Sequence, residues 1–317
     1  MVKMKFRTEI TVAPWQHSIE YNSPILCIGS CFATNIAARL ADNKFGVVEN
    51  PTGILFNPMS IALSVERMAE CRHIDHADLI ESDGRWLSHD FHSSLSGATT
   101  EEAITNINRA IDLGHNALTS AKHLIITLGS AWVYRLRSTH EVVANCHKQP
   151  HSLFSRELLT LSEIIEALER IARRTSAHII LTVSPIRHIG EGMEDNSLSK
   201  ALLRVAIDEF MNRHSERATY FPSYEIMMDD LRDYRYYADD LVHPTKMAVD
   251  YIADKFFGAA LSHDTQRKME EVSKIVNAAK HRPQNPHSEQ HRAFCRRQLE
   301  AIERMTDIDL RKEREHF

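Results

Sequence analysis

Between Ile25 and Phe257 short apolar runs of strand length alternate with amphipathic helical patterns, and that alternation leaves few folds open. The runs Ile25–Ile28, Phe45–Val48, Leu124–Leu128, Ile179–Val183 and Thr219–Phe221 read as strands. Helical patterns lie at Ala33–Asp42, Pro58–Ala69, Glu101–Ser120, Leu161–Arg174, Ser197–Arg213 and Pro244–Phe257. Nearly continuous apolar strands need cover on both faces, so the pattern predicts a parallel sheet of about five strands between two layers of helices, an α/β fold. Crossovers in such a sheet are right-handed, and ligands sit beyond the carboxyl ends of the strands. The chemistry is therefore expected in the loops that begin at Gly29, Gly129 and Ser184.

From His263 the pattern changes to two densely charged helices joined by a break at Arg282–Pro286. Cys295, Leu299, Ile302 and Met305 recur at helical spacing in the second, which fits a helix packed on the domain better than a dimerisation arm. The expected division is thus residues 1–262 as one domain and 263–317 as a helical extension, with homo-oligomer formation through those helices left open.

Composition narrows the function classes. Hydrophobic residues make up 43% and charged residues 26%, enough for a buried core and unlike a disordered chain. A net charge of -5 gives no reason to expect nucleic acid. The start reaches Glu9 before any signal-like apolar run, and no segment approaches the roughly 20 apolar residues of a membrane span. A cytoplasmic protein without a membrane partner is expected. Five cysteines without paired CxxC spacing suit reduced thiols, with neither a disulfide framework nor a metal site expected.

Two places carry chemistry. In ILCIGSCFATNIAARL the Gly29-Ser30-Cys31 turn joins a strand to a helix, so a side chain there stands at the sheet edge facing helix N-terminal amides. Those amides can bind an oxyanion, and a thiol in that field is expected to have a depressed pKa. Ser30 and Cys31 are both able to attack, although serine also caps helices and cysteine also fills cores. Far along the chain, Asp240-Leu-Val-His243 precedes Pro244. An acid three residues before a histidine can orient one ring nitrogen while the other faces a nucleophile.

Placed in an α/β chain, these stretches resemble the GSCFA family, named for the sequence found at Gly29–Ala33, which looks like a branch of the SGNH/GDSL hydrolase superfamily. TLGSAWVY at 127–134, VANCHKQP at 143–150, SPIRH at 184–188 and the stretch Tyr220–Pro244 carry the same resemblance, which covers about residues 4–260. It implies a three-layer α/β/α, flavodoxin-like fold. It also implies that Cys31 stands at the superfamily's nucleophile position, with Ser30 as a hydrogen-bond donor or alternative nucleophile, His243 as general base and Asp240 as its orienter. Gly29, Gly53 and Gly129 match the oxyanion-binding positions. The asparagine expected after Gly129 is absent, and Asn145 is the candidate to replace its amide.

Four further residues could contact substrate. His147 and Lys148 lie in the NCHK segment, where Lys148 could hold a carboxylate or phosphate unless the loop is merely solvated. Arg187 and His188 follow the fourth strand, and Arg187 is either an anion clamp or half of a structural ion pair. Trp132 and Tyr134, and the aromatic and acidic run Tyr220–Tyr237, could line a pocket or serve as core. The expected function is an esterase or acyltransferase without cofactor, acting on a small-molecule or carbohydrate ester through an acyl-enzyme. The rival is a non-catalytic carbohydrate- or metabolite-binding protein on the same scaffold.

Overall fold

A computed structural model describes residues 7–190, 192–283 and 285–317. The chain runs β1 (Ile25–Gly29), α1 (Cys31–Asp42), β2 (Val47–Glu49), α2 (Pro58–Ala69), the hairpin β3 (Ile80–Ser82) and β4 (Arg85–Leu87), and α3 (Thr100–Ser120). Next come β5 (His123–Leu128), β6 (Trp132–Leu136), β7 (Val142–Val143), β8 (Phe154–Leu158), α4 (Leu161–Arg173), β9 (His178–Val183), α5 (Met193–Arg213) and β10 (Ala218–Tyr220). The short α6 (Ser223–Glu225) opens into a π-helical turn at Ile226–Asp230, and α7 (Lys246–Ala260), α8 (His263–Lys280), α9 (Glu289–Glu303) and α10 (Arg311–Arg314) complete the chain.

Five strands form one parallel sheet in the order β10-β9-β5-β1-β2. Counted along the chain this is the flavodoxin-like 2-1-3-4-5 order, whose switch point lies between β1 and β5. Every residue of β1 and β5 is buried, as the apolar runs predict for strands covered on both sides. One face packs on α2, α4 and α5 through Leu26, Ile28, Leu124, Ile126, Leu168 and Phe210. The other packs on α1 and α7 through Cys27, Phe32, Ile125, Ile180, Ile252 and Phe256. Truncating such a side chain to alanine costs about 2–5 kcal/mol.

The helix patterns marked on the sequence all appear, Pro58–Ala69 with the same ends and the others with shifted ones. The largest shift is in α5, which starts at Met193 instead of Ser197. That extra turn carries Asn196, whose Oδ1 accepts the His188 amide at 2.9 Å and so pins the loop after β9. Unforeseen are the β3–β4 hairpin and a three-stranded antiparallel sheet, β7-β6-β8. Their strands are too short and too mixed in polarity to stand out as runs.

The tail packs on the sheet domain. Val272, Ile275 and Val276 of α8 share a core with Ile302, Met305, Ile308 and Leu310, and Tyr21 belongs to both this cluster and its neighbour. Ser273 donates to Asn43 at 2.6 Å, and Lys44 pairs with Glu313 at 2.5 Å. Among the described residues no helix is long and apolar enough to cross a membrane.

Candidate active site

At the switch point the first turn is fixed by backbone geometry. Gly29 has φ +142°, and a Cβ there would collide with the Thr127 carbonyl on β5. Only glycine lets β1 lie this close to its neighbour just where the chain turns into α1. The Asn50 side chain straps the turn, accepting from the Gly29 amide at 2.9 Å and donating to Thr34 Oγ1 at 3.1 Å.

Ser30 and Cys31 then part in role. Ser30 is buried and caps α1, its Oγ accepting from the Phe32 amide at 3.3 Å and donating to Ser184 Oγ at 3.0 Å. Cys31 is half-buried, with Sγ 3.7 Å from Nε2 of His243, 212 residues later. The other ring nitrogen, Nδ1, lies 2.6 Å from Asp240 Oδ2. Because the carboxylate accepts from Nδ1–H, the lone pair of Nε2 is left to face the thiol.

The loop that presents His243 is built around Asp240. Its Oδ1 accepts from the amides of Val242 and His243, both at 2.9 Å, and Leu241 takes a left-handed φ of +58° to permit it. These amides and the imidazole hold the Asp240 carboxyl down at about 2. Tyr237 and Pro244 form an antiparallel bridge that closes the base of the loop.

The thiol does not have the depressed pKa expected of it. Burial pushes Cys31 up, and this outweighs the opposing pull of its own amide, the Lys200 charge and the Phe32 amide. At neutral pH the sulfur is therefore held as a thiol beside the His243 ring.

Lys200, on α5, is a site residue that the sequence reading missed. It is fully buried beneath the turn, and Nζ donates to the carbonyls of Gly129 at 2.7 Å and Ser184 at 2.8 Å. Burial lowers its pKa to about 7. A lysine inside an amphipathic helix pattern looks like a solvated position, so the sequence carries no signal for it. Asn50 was equally silent, although it directly precedes the Pro51-Thr52-Gly53 turn.

The expected oxyanion groups are largely engaged elsewhere. The amides of Gly129 and Ser130 both donate to the Phe56 carbonyl, at 2.7 and 3.1 Å. Gly53, at φ +86° against His92, donates its amide to Asn50 at 2.8 Å. Asn145 Oδ1 accepts from the His147 amide at 2.8 Å, which places its side chain in the NCHK loop. His188 is placed differently: its ring lies beside Phe56, and a Cβ on Gly129 would come within 3.1 Å of His188 Nε2. That nitrogen is buried and has no hydrogen-bond partner among the described residues. Burial, with the charges of Lys200 and His243, lowers the ring to about 4 and keeps it neutral.

The NCHK segment docks on another loop. His147 is buried with Nε2 2.8 Å from the Ser88 carbonyl, Gln149 meets His89 at 2.8 Å, and Lys148 points to solvent. Among the described residues none of Asn145, His147 and Lys148 is bonded to Cys31, His243 or Asp240. Trp132 is half-buried under the Arg156 guanidinium at 3.5 Å, and its Nε1 donates to the Asp195 carbonyl. In the acidic aromatic run, Glu225 accepts from Tyr220, and buried Asp230 accepts from Tyr251 and the Ile10 amide. Tyr234 and Tyr237 instead flank Arg187.

As metal donors, Cys71 Sγ, His73 Nε2 and an Asp112 oxygen lie within 4.8 Å of one another among the described residues. His73 is 2.7 Å from that oxygen, and both side chains are about half exposed (49% and 51%), which is an ordinary surface pair.

No curated protein matches the chain. A second family model, described as GSCFA domain protein, C-terminal domain, matches residues 272–317. The model of the GSCFA family itself matches residues 24–256, from the strand before the Gly29 turn to the helix after His243, and the chain belongs to that family.

Proposed function

We propose that the protein is an acyl-transfer enzyme, an esterase or an acyltransferase, with Cys31 as nucleophile. The observation that carries this reading is the chain of contacts Cys31 Sγ to His243 Nε2 at 3.7 Å and His243 Nδ1 to Asp240 Oδ2 at 2.6 Å. A nucleophile, a base and a group that fixes the base's tautomer stand in line at the carboxyl end of the sheet.

The steps balance without a cofactor. His243 Nε2 takes the thiol proton as sulfur attacks the ester carbonyl carbon. The tetrahedral oxyanion is met by the Cys31 amide at the α1 N-terminus and by His188 Nε2–H. Collapse breaks the bond to the leaving oxygen, which takes the proton from His243 and departs as an alcohol. Water or an acceptor hydroxyl then attacks the Cys31 thioester, giving its proton to His243. The departing sulfur recovers that proton. Because burial keeps Cys31 protonated at rest, the base is needed in the first step and not only in the second.

Labelling tests the assignment. Iodoacetamide and an aryl thioester should each modify Cys31, identified by peptide mass spectrometry, and Cys31→Ala and His243→Ala should each abolish turnover of aryl esters and thioesters. Turnover unchanged in both variants would refute the reading. No turnover of any acyl donor by the wild type would leave a binding protein on this scaffold.

A further inference from the structure

Arg187 follows β9 by four residues and is only 9% exposed, yet among the described residues no carboxylate lies within ion-pair distance of it. Its Nε is buried without a partner. The guanidinium lies over the Tyr237 ring at 3.7 Å and faces Tyr234 at 5.4 Å. Its charge and hydrogen bond also draw down the Tyr237 hydroxyl, which burial raises. A buried guanidinium with an empty donor is costly, and stacking on rings satisfies its faces while Nε stays unpaired.

Arg187 lines a cavity of about 310 Å³ with Met227, Met228, Arg232, Tyr234 and Tyr237, and Asp229 and Asp233 complete the wall. Asp233 is neutralised by Arg235 at 2.8 Å, while Asp229 is exposed. The cavity adjoins the catalytic loop: the Arg187 amide reaches the Val242 carbonyl at 3.4 Å, and Tyr237 is bridged to Pro244 on the other side of His243. Its size suits a small ligand, with methionine and tyrosine surfaces for an apolar body and one buried cation for a charged end.

We infer that this cavity binds an anionic group of the substrate, a carboxylate or phosphate at the end of a short apolar chain, through the edge of Arg187. The inference rests on the acyl-transfer reading for its place beside the reacting bond, but the binding itself does not require turnover. A planar guanidinium offers two parallel N–H donors to such an oxyanion pair, and Arg232 adds a second positive charge at the rim.

The test has two arms. In the first, glutarate and inorganic phosphate are titrated calorimetrically into the wild type, Arg187→Met and Arg187→Lys, with thermal melts reporting folding. Binding of one ligand distinguishes a carboxylate from a phosphate site. Saturable binding lost by ~10-fold or more in Arg187→Met and partly kept in Arg187→Lys is expected. In the second, kcat/KM is measured for a glutaryl aryl thioester and for its methyl ester. The wild type should prefer the free acid, and Arg187→Met should reduce that ratio ~10- to 100-fold. A folded Arg187→Met that lowers both substrates alike, or wild-type protein that binds neither anion, would overturn the inference. Anion binding through Arg187 without turnover of either thioester would instead overturn the catalytic reading and leave this one standing.

Discussion

The amine of Lys200 donates at 2.7 Å to the carbonyl of Gly129, inside the domain and directly under the turn that carries Cys31. Together with its bond to Ser184, whose hydroxyl accepts from Ser30, this ties the ends of β1, β5 and β9 into one network. The loops that follow β1, β5 and β9 thus share a single buried cross-brace.

The brace has a pH signature. Burial lowers Lys200 from 10.5 to about 7, so between those values the unfolded chain binds a proton that the native one does not. Stability should rise with pH through that window, by at most about 1.4 kcal/mol per unit, and the penalty is fully present below about pH 7. In Lys200→Met this slope is lost. Urea midpoints at about pH 7 and about pH 8.5, below the range where buried thiols reverse the trend, should show the wild type gaining on the variant. A constant gap would mean that the folded amine keeps its proton.

Ser30 and Cys31 are neighbours with opposite expectations. Ser30→Ala removes a helix cap and a buried hydrogen bond, so it should lower the unfolding free energy by about 0.5–2 kcal/mol. Iodoacetamide should still label Cys31 in that variant. Cys31→Ala should lose the label with little change in stability, since only one half-buried sulfur is removed. Labelling at Ser30 by a fluorophosphonate would reverse the assignment.

Asp240→Asn tests the orienting step. The amide cannot accept from both loop amides and the imidazole as the carboxylate does, so His243 loses its fixed tautomer. Turnover should fall on the order of 10²–10⁴-fold. With Asp240 held at about 2, the acid limb of the wild-type rate profile should show no step from this residue above about pH 3.

The sheet was legible because its signal is local. The central strands β1, β5 and β9 declare themselves by buried apolar runs, the edge strands β2 and β10 more weakly, and glycine at 29 marks a place where β1 and β5 lie too close for a side chain. The pairing of Cys31 with His243 spans 212 residues, and no periodicity announces it. Motif resemblance supplied that pairing. The oxyanion groups could not be read at all, because whether the Gly129 or Gly53 amide is free depends on where the Phe56 and Asn50 carbonyls fall. The thiol pKa was misjudged for a related reason. The helix N-terminus is visible in the sequence, whereas the burial that overrides it is a property of the packed fold.

His188 should carry the donor that the asparagine missing after Gly129 would have supplied. Its Nε2 is a buried ring nitrogen without a partner, beside Gly129, on a ring that burial and nearby charge keep neutral above about pH 4. A neutral imidazole can donate from Nε2 without the like-charge repulsion that a cation there would exert on the imidazolium formed at His243 during attack. His188→Leu should therefore lower kcat on the order of 10²–10³-fold with a smaller change in KM, because the donor meets charge that develops only in the transition state. His188→Gln, which restores an N–H near the same point, should recover part of the loss. Thermal melts of both variants control for the packing of the ring on Phe56. A loss confined to KM would assign His188 to substrate contact instead.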